Sequence, residues 1–269
     1  YIFNRFVAGE NTLYENVKKV IPGHILTIHE SGKTSSEKWW DLKAEIQNQP
    51  KIKNPVEWFR ETFDESIKLR MVSDVPVGVL LSGGLDSSSI LASLNHQNFR
   101  YIQTFNIGFK EKEHNESHLA MRMSERFNYP FHTMHLEDNA LYEKLVSSTY
   151  FQDEPIMHLS EPHILALSQM AKPSVKVLLS GEGADELMGG YVRYKALKYP
   201  SLLKAIATIG HMDYFTTKPR FEKLARYSQI EKKDDLILYN GSNIYPKDIE
   251  NIFGIKKQTK NEYRNQILE

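Results

Sequence analysis

The stretch GVLLSGGLDSSSI, residues 78–90, joins an apolar run to two glycines, an acidic residue and three consecutive serines. A buried strand that ended in an ordinary turn would need none of this. Gly83 and Gly84 let the main chain turn sharply and approach a ligand with no Cβ in the way. Ser87 and Ser88 would offer hydroxyls and amides at the start of a helix, where the helix dipole favours an anion. The stretch therefore predicts a strand, an anion-binding loop and a helix.

The predicted loop differs from the Walker loop, because it contains no lysine and lacks that motif's spacing. Asp86 lies inside it and would repel phosphate groups unless a cation separated them. Mg²⁺ suits this position, since proteins usually hold it with one or two carboxylates plus phosphate oxygens and water. The alternative is a plain Gly-Ser turn whose serine and aspartate only cap the helix.

A second segment, VLLSGEGADELMGGY at residues 177–191, repeats the order of strand, Ser-Gly, carboxylates and glycines. Glu182, Asp185 and Glu186 place three acids within a span of five residues. Such carboxylates repel one another unless they share a cation or a cationic substrate. One could complete a magnesium shell and another could act on the substrate. The alternative is a capped turn that exposes its acids to solvent.

Strand and helix patterns alternate from residue 54 onward. Asn54-Pro55 predicts a helix start, with Asn as N-cap and Pro at the first helical position, and Asp138 is predicted to cap the helix after the third strand. Four apolar runs predict strands: VGVLL (77–81), YIQTFNIGF (101–109), FHTMHL (131–136) and VKVLLS (175–180). Apolar strands separated by helices predict an α/β fold with a parallel sheet covered on both faces. Ligands of such sheets lie beyond the carboxyl ends of the strands, which places residues 82–88 and 180–186 at one edge.

The first part of the chain has a different pattern. GHILTIHE at residues 23–30 alternates apolar residues after a Pro-Gly turn, and SGKTSSEKWWDL at 31–42 follows as the second arm of a hairpin. KAEIQNQPKIKNP, residues 43–55, is polar and contains proline, which predicts a linker.

The composition excludes some classes of function. Lys plus Arg equals Asp plus Glu, at 34 each, so no overall field points to nucleic acid or an acidic membrane, and no apolar run approaches the ~20 residues that span a bilayer. The chain has no cysteine, which excludes disulfides and thiolate sites within these residues and fits a cytoplasmic location. Because it begins at Tyr1 without a methionine and stops at Glu269 without a closing signal, we expect a piece of a longer protein.

Two motifs carry a family resemblance. SDVPVGVLLSGGLDSSSI (73–90) and VKVLLSGEGADELMGGYVRY (175–194) closely resemble the synthetase domain of glutamine-hydrolysing asparagine synthetases, which are N-type ATP pyrophosphatases with an SGGxDS loop. TFNIGFKEKEHNESHLA (104–120) is similar to the family's segment between the loops, with Asn115 where Asp is common. Residues 22–42 resemble the end of the family's N-terminal glutaminase domain.

The resemblance implies a fold and a division of the chain. The fold is that of adenine nucleotide alpha hydrolases of the PP-loop type, a parallel sheet of the five-stranded type between helices, with a short β remnant at the N-terminus. Residues 1–48 would be the remnant of the glutaminase domain plus linker, and residues 54–269 an incomplete synthetase domain.

The resemblance also implies a reaction. A substrate carboxylate attacks the α-phosphate of ATP to give an acyl-adenylate and pyrophosphate, and ammonia then displaces AMP to form an amide. The residues that would cradle the pyrophosphate are Ser82, Gly83, Gly84, Ser87 and Ser88. Those that would line the adenosine pocket are Leu80, Ile107, Ser180 and Gly181. Asp86 and Asp185 would bind Mg²⁺, and Glu182 would face the acyl-adenylate and accept a proton from the amine.

The implied substrates are ATP, aspartate, and ammonia that a glutaminase domain of the full-length chain releases from glutamine; a homodimer is the assembly we consider. Three alternatives remain: a relative that amidates a sugar acid of a surface polysaccharide, one that closes a β-lactam ring, and a non-catalytic nucleotide-binding homologue. The family's glutaminase uses a cysteine nucleophile, which this chain lacks. The family's catalytic lysine follows the second loop at a distance, and because Lys256 and Lys257 read as a solvated charge run, we expect it beyond Glu269.

Overall fold

The structure is a computed structural model that describes residues 6–109, 115–156, 158, 160–191, 194, 251–252 and 254. The chain divides into two compact units, of which Pro50–Gly189 is one and Tyr1–Gln49 falls in the other. In the described residues each unit has its own sheet: two antiparallel strands before Gln49, and four strands within Pro50–Gly189.

The first unit contains the predicted hairpin. Strand β1 (His24–Ile28) pairs antiparallel with β2 (Thr34–Lys38). Before β1 the chain turns at Gly23, whose φ is +74° and whose carbonyl accepts the amides of Trp39 at 2.9 Å and Trp40 at 3.2 Å. A Cβ at this position would collide with the Trp40 carbonyl oxygen. The turn therefore requires glycine.

Helix α1 (Leu42–Asn48) follows the hairpin and corrects one prediction. The sequence predicts a linker over residues 43–55, and this prediction is wrong for residues 43–48. The reason is a local cap: the Asp41 carboxylate accepts the amides of Lys43 at 2.9 Å and Ala44 at 3.2 Å. A hydrogen bond from the Lys38 ammonium, together with these amides, lowers the pKa of Asp41 below its ordinary value.

The second unit alternates helices and strands in the predicted order. Its elements are α2 (Pro55–Arg70), β3 (Val77–Leu80), α3 (Leu85–His96), β4 (Gln103–Gly108), α4 (Ser117–Phe127), β5 (Phe131–His135), α5 (Asp138–Gln152), α6 (Ser160–Ala171), β6 (Val177–Leu179) and α7 (Ala184–Met188). Asn54 caps α2 as predicted, accepting the Glu57 amide at 3.4 Å. The N-cap of α5 is Glu137 and not Asp138, so that prediction was one residue late.

The four strands form one parallel sheet in the order β5-β4-β3-β6. All four strands predicted from the apolar runs are thereby confirmed, and with them the parallel α/β fold. Gly78 of β3 lies opposite Gln103 of β4 on one side and Leu178 of β6 on the other. The chain leaves β3 toward β4 and β5 and returns on the opposite side as β6. The carboxyl ends of β3 and β6 therefore flank a topological switch point, where ligands of such sheets bind.

The core lies on both faces of this sheet. Val79 of β3 and Leu91 of α3 have no exposed surface and belong to a cluster that α2, α3 and α4 cover. Phe105 of β4 packs on the other face with Leu167 and Ala171 of α6. Complete burial of a side chain such as Leu91 contributes about 1.5–3 kcal/mol. Among the described residues, no helix is both long enough and apolar enough to cross a membrane.

Candidate functional site

The first loop, residues 82–88, leaves the carboxyl end of β3 and includes the first turn of α3. Two serine side chains close it on itself. The Ser82 and Ser87 hydroxyl oxygens lie 2.9 Å apart in a hydrogen bond, and the Ser82 amide donates to the Ser87 oxygen at 3.2 Å. The Gly84 amide donates to the Ser82 hydroxyl oxygen, also at 3.2 Å. These hydrogen bonds hold the segment in one defined turn.

Gly83 packs against the first turn of α4. Its φ is +87°, and a Cβ built on it would lie 2.7 Å from the Ala120 nitrogen and 2.8 Å from the Leu119 Cβ. Both the backbone angle and the lack of space exclude a larger residue. Packing within the protein is therefore one reason for glycine at this position, and the approach of Gly83 to a ligand stays a prediction.

The second loop, residues 180–186, touches the first at Gly181. A Cβ on Gly181 would lie 3.0 Å from the Asp86 Cβ and 3.0 Å from the Ser87 nitrogen. The pairing of β3 with β6, with Val79 opposite Leu179, brings the two strand ends to the same level. The structure therefore brings the two predicted loops together at one edge of the sheet.

The predicted acidic residues lie on these two loops. Asp86 is exposed in the first turn of α3, Glu182 is exposed directly after Gly181, and Asp185 is half-buried in α7. Among the described residues, no group of three or more His, Cys, Asp or Glu side chains could hold a metal ion on its own. Mg²⁺ needs only one or two protein carboxylates, with phosphate oxygens and water as its other ligands. Asp86 and Asp185 therefore fit Mg²⁺ in number and in donor type.

Ser88 carries an unusual hydroxyl. Its oxygen is buried and has no hydrogen-bond partner among the described residues. Buried polar atoms in native proteins are nearly always paired; Ser148 Oγ and Glu161 Oε2, which lie outside the two loops, also have no partner among the described residues. Within the part of the chain that the structure describes, no side chain caps the amino end of α3, where Gly84 is the N-cap.

The residues predicted to line the adenosine pocket lie at or just after the carboxyl ends of neighbouring strands. Leu80 of β3 and Ile107 of β4 are half-buried, and both pack against the cluster of Phe105 and α6. Ser180 is exposed directly after β6. The structure thus places these residues at the edge of the sheet where the two loops meet, whereas Lys256 and Lys257 lie outside the described residues.

A cavity of about 540 Å³ opens elsewhere in this unit, beside α6 and the start of β6. Its lining residues are Phe151, Leu165, Ser168, Gln169, Ala171, Lys172, Val175, Lys176 and Leu178. None of the predicted site residues is among them. The candidate site is therefore located by the two loops and not by this cavity.

One polar residue at this edge had not been singled out from the sequence. Asn106 is buried in β4 at 4% exposure and hydrogen-bonds the end of β3 and the start of α4. The signal was present as a single amide inside the apolar run TFNIGF. Such a residue costs stability in a core unless its hydrogen bonds are satisfied.

Comparison with known proteins gives relatives of greater length. An asparagine synthetase (glutamine-hydrolyzing) 1 of Bacillus subtilis is 32% identical over 72% of this chain and 30% of its own length. A putative asparagine synthetase 2 of Methanocaldococcus jannaschii is 30% identical over 89% of this chain and 44% of its own. The amidase chry2 of Gibberella zeae is 28% identical over 70% and 31%. The chain therefore spans less than half the length of these relatives.

Among solved structures, an NH3-dependent NAD synthetase from Campylobacter jejuni aligns over 76% of this chain and 99% of its own, with a TM-score of 0.38 and 14% identity. The asparagine synthase family model matches residues 58–264, which include both loops and most of the chain. With the resemblance of the two signature motifs confirmed in this way, the chain belongs to the asparagine synthase family.

Proposed function

We propose that this chain is the ATP-using part of an amide ligase that activates a carboxylate as an acyl-adenylate. The observation that carries the proposal is the contact between the two loops at the switch point of the sheet, where Gly181 meets Asp86 and Ser87. Membership of the asparagine synthase family supports the same reaction class. The protein's contribution would be positioning and charge stabilisation, since the reacting groups all belong to the substrates.

The first loop would hold the pyrophosphate part of ATP. Its hydrogen bonds between Ser82, Ser87 and Gly84 fix the turn in advance, which lowers the entropic cost of binding. The amides at the uncapped start of α3 would face the phosphate oxygens. The orphaned Ser88 hydroxyl would then gain its missing partner from the same group.

Asp86 and Asp185 would hold Mg²⁺ against those phosphates. The ion would neutralise the negative charge that builds up on the leaving pyrophosphate. Asp86 is well placed for this, because its backbone lies where the two loops touch. Without a cation, its carboxylate would repel the triphosphate.

Glu182 would act at the second step. It follows Gly181 directly and is exposed, so it can face a substrate at the edge of the sheet. Displacement of AMP from the acyl-adenylate by ammonia releases one proton, which a carboxylate beside the amine can accept. Leu80, Ile107, Ser180 and Gly181 would enclose the adenosine.

Aspartate is the carboxylate we propose first, because several relatives are asparagine synthetases by name. Relatives that are named amidases, from Gibberella zeae and Penicillium rubens, favour a second candidate in which another carboxylate is amidated. Ammonia would come from glutamine through a glutaminase domain of the full-length protein. Residues 1–48 would be the end of that domain and residues 54–269 the synthetase domain; a cytoplasmic location and a homodimer stay predictions.

Pyrophosphate exchange tests the proposal. Full-length protein is incubated with ATP, Mg²⁺ and labelled pyrophosphate across a panel of carboxylates headed by aspartate. Asp86→Asn should abolish the exchange, whereas Asp74→Asn, which removes an exposed carboxylate before β3, should not. Exchange only with another acid would keep the mechanism and change the substrate. Tight ATP binding with no exchange for any acid would replace the ligase with a nucleotide-binding homologue.

A further inference from the structure

Asn106 makes three hydrogen bonds inside the sheet. Its side-chain amide donates to the Leu81 carbonyl at 2.7 Å, and its oxygen accepts the Ser117 hydroxyl at 2.6 Å and the Thr133 hydroxyl at 3.2 Å. A carbonyl can only accept, so the contact with Leu81 fixes which way the amide points. Three partners, one directly after β3, one in α4 and one in β5, thus converge on one buried side chain.

The bond to Leu81 acts on the strand that enters the first loop. The Leu81 amide donates to the Phe105 carbonyl at 2.8 Å, while its carbonyl is held by Asn106. Both polar groups of Leu81 are therefore tied to β4. This fixes the peptide plane between Leu81 and Ser82, and Ser82 begins the hydrogen bonds that close the loop.

The bond to Ser117 acts on the other wall of the loop. Ser117 is the first residue of α4, and its amide donates to the Asn115 side chain at 3.0 Å. Ser117 begins the helix turn against which Gly83 packs. A Cβ built on Gly83 would lie 2.7 Å from the Ala120 nitrogen in that turn. Asn106 therefore holds both the strand that enters the first loop and the helix turn behind it.

We propose that Asn106 is a positioning residue that keeps the first loop in its ATP-binding conformation, acting through Leu81 and Ser117. The inference rests on the proposed function of that loop. An aspartate would be a poor substitute, because it would place an oxygen against the Leu81 carbonyl. Leucine would fill the space but release both walls of the loop.

A second buried pair between β4 and α4 provides the control. Thr104 lies two residues earlier in β4, has no exposed surface, and hydrogen-bonds the Ser124 hydroxyl at 2.5 Å and the Pro130 carbonyl at 2.8 Å. It joins the same two elements without a hydrogen bond to Leu81 or to Ser117. Thr104→Val thus matches Asn106→Leu, and Ser124→Ala matches Ser117→Ala.

The experiment measures two properties of the full chain in each variant: hydrogen exchange of the amides of residues 82–87, and the affinity for ATP with Mg²⁺ by calorimetry. Both are recorded below the unfolding temperature of every variant. Asn106→Leu and Ser117→Ala should both speed hydrogen exchange in the loop and weaken ATP binding. In Asn106→Leu, the larger change, the exchange rate should rise about tenfold and the ATP affinity should fall about tenfold. Thr104→Val and Ser124→Ala should lower the unfolding temperature and leave both readings near wild type.

Several results would overturn the inference. Unchanged loop exchange in Asn106→Leu would show that the residue does not hold the loop. Faster loop exchange with unchanged ATP affinity would show that the conformation Asn106 holds does not matter for ATP binding. Equal effects in all four variants would leave a general structural role only. If Asn106→Leu fails to fold, Ser117→Ala decides alone, because it deletes a single hydroxyl. A wild-type chain that binds no ATP would defeat the proposed function, while loop exchange would still show whether Asn106 fixes the turn.

Discussion

Adding one methyl group at Gly181 should push the two loops apart. The new Cβ would lie 3.0 Å from the Asp86 Cβ, 3.0 Å from the Ser87 nitrogen and 3.2 Å from the Asp86 carbonyl carbon. Ordinary van der Waals contact begins at about 3.4 Å, so the loops must separate by a few tenths of an ångström. Two of the three atoms belong to the main chain of α3, so no flexible side chain can relieve the clash. Overpacking of this kind costs about 1–3 kcal/mol.

The assay compares Gly181→Ala with Gly78→Ala. At Gly78 a Cβ would meet the Phe105 ring at 2.9 Å and the Gln103 carbonyl oxygen at 3.0 Å, a similar clash in the body of β3. Urea unfolding should show a comparable loss of stability in both variants. Calorimetry should show ATP affinity falling about tenfold in Gly181→Ala only, because 1.4 kcal/mol corresponds to a factor of about ten.

Two results would refute this reasoning. Wild-type ATP affinity in Gly181→Ala, together with lower stability, would mean that the contact between the loops does not shape the nucleotide site. Equal losses of affinity in Gly181→Ala and Gly78→Ala would attribute the effect to the fold as a whole.

Two further substitutions test the stability and ATP affinity at Ser88 and the pH dependence of stability at Tyr129. Ser88→Ala deletes an unpaired buried hydroxyl, so we expect the free energy of unfolding to stay unchanged or to rise, as measured by urea unfolding. The same variant should weaken ATP binding about three- to tenfold, as measured by calorimetry. A loss of stability would contradict the first expectation. Burial raises the pKa of Tyr129 above its ordinary 10.0, and its hydroxyl donates to the Phe99 carbonyl at 2.8 Å. The neutral phenol therefore stabilises the fold by about 1 kcal/mol below pH 10, and this is lost as the pH rises through the folded-state pKa. Urea unfolding of wild type and Tyr129→Phe between about pH 8 and about pH 11 should show the wild-type advantage shrinking; a constant difference would show that the pKa of Tyr129 is the same in the folded and unfolded states.

The sheet and the meeting of the two loops could be predicted from the sequence, because buried parallel strands appear as unbroken apolar runs. Helix α1 could not, since its polar composition suggested a linker and the only strong local signal was the cap at Asp41. The start of α5 was misjudged for a similar reason: Glu137 and Asp138 both stand where a cap could be, and boundaries are the least certain part of a sequence pattern.

The supports of the loops could not be predicted, because they depend on residues that are distant in sequence. Nothing in the sequence around Gly83 predicts that its neighbour will be Ala120 of α4. That contact exists only once α4 has packed beside β4. Asn106 looks like an interruption of an apolar run until Leu81, Ser117 and Thr133 surround it. A pattern of residue types predicts which elements form, but hydrogen-bond partners follow from how the elements pack.

The register between β3 and β6 decides whether the site exists. Val79 lies opposite Leu179, and adjacent strands are about 4.8 Å apart, so the residues that follow both strands must come into contact. At this short distance only glycine fits at position 181 without pushing the two loops apart. The length of chain between the two loops is thus free to vary, because pairing in the sheet and not the connection brings them together. A slip of one residue in that pairing would turn every β6 side chain to the opposite face and would also move Gly181 away from Asp86.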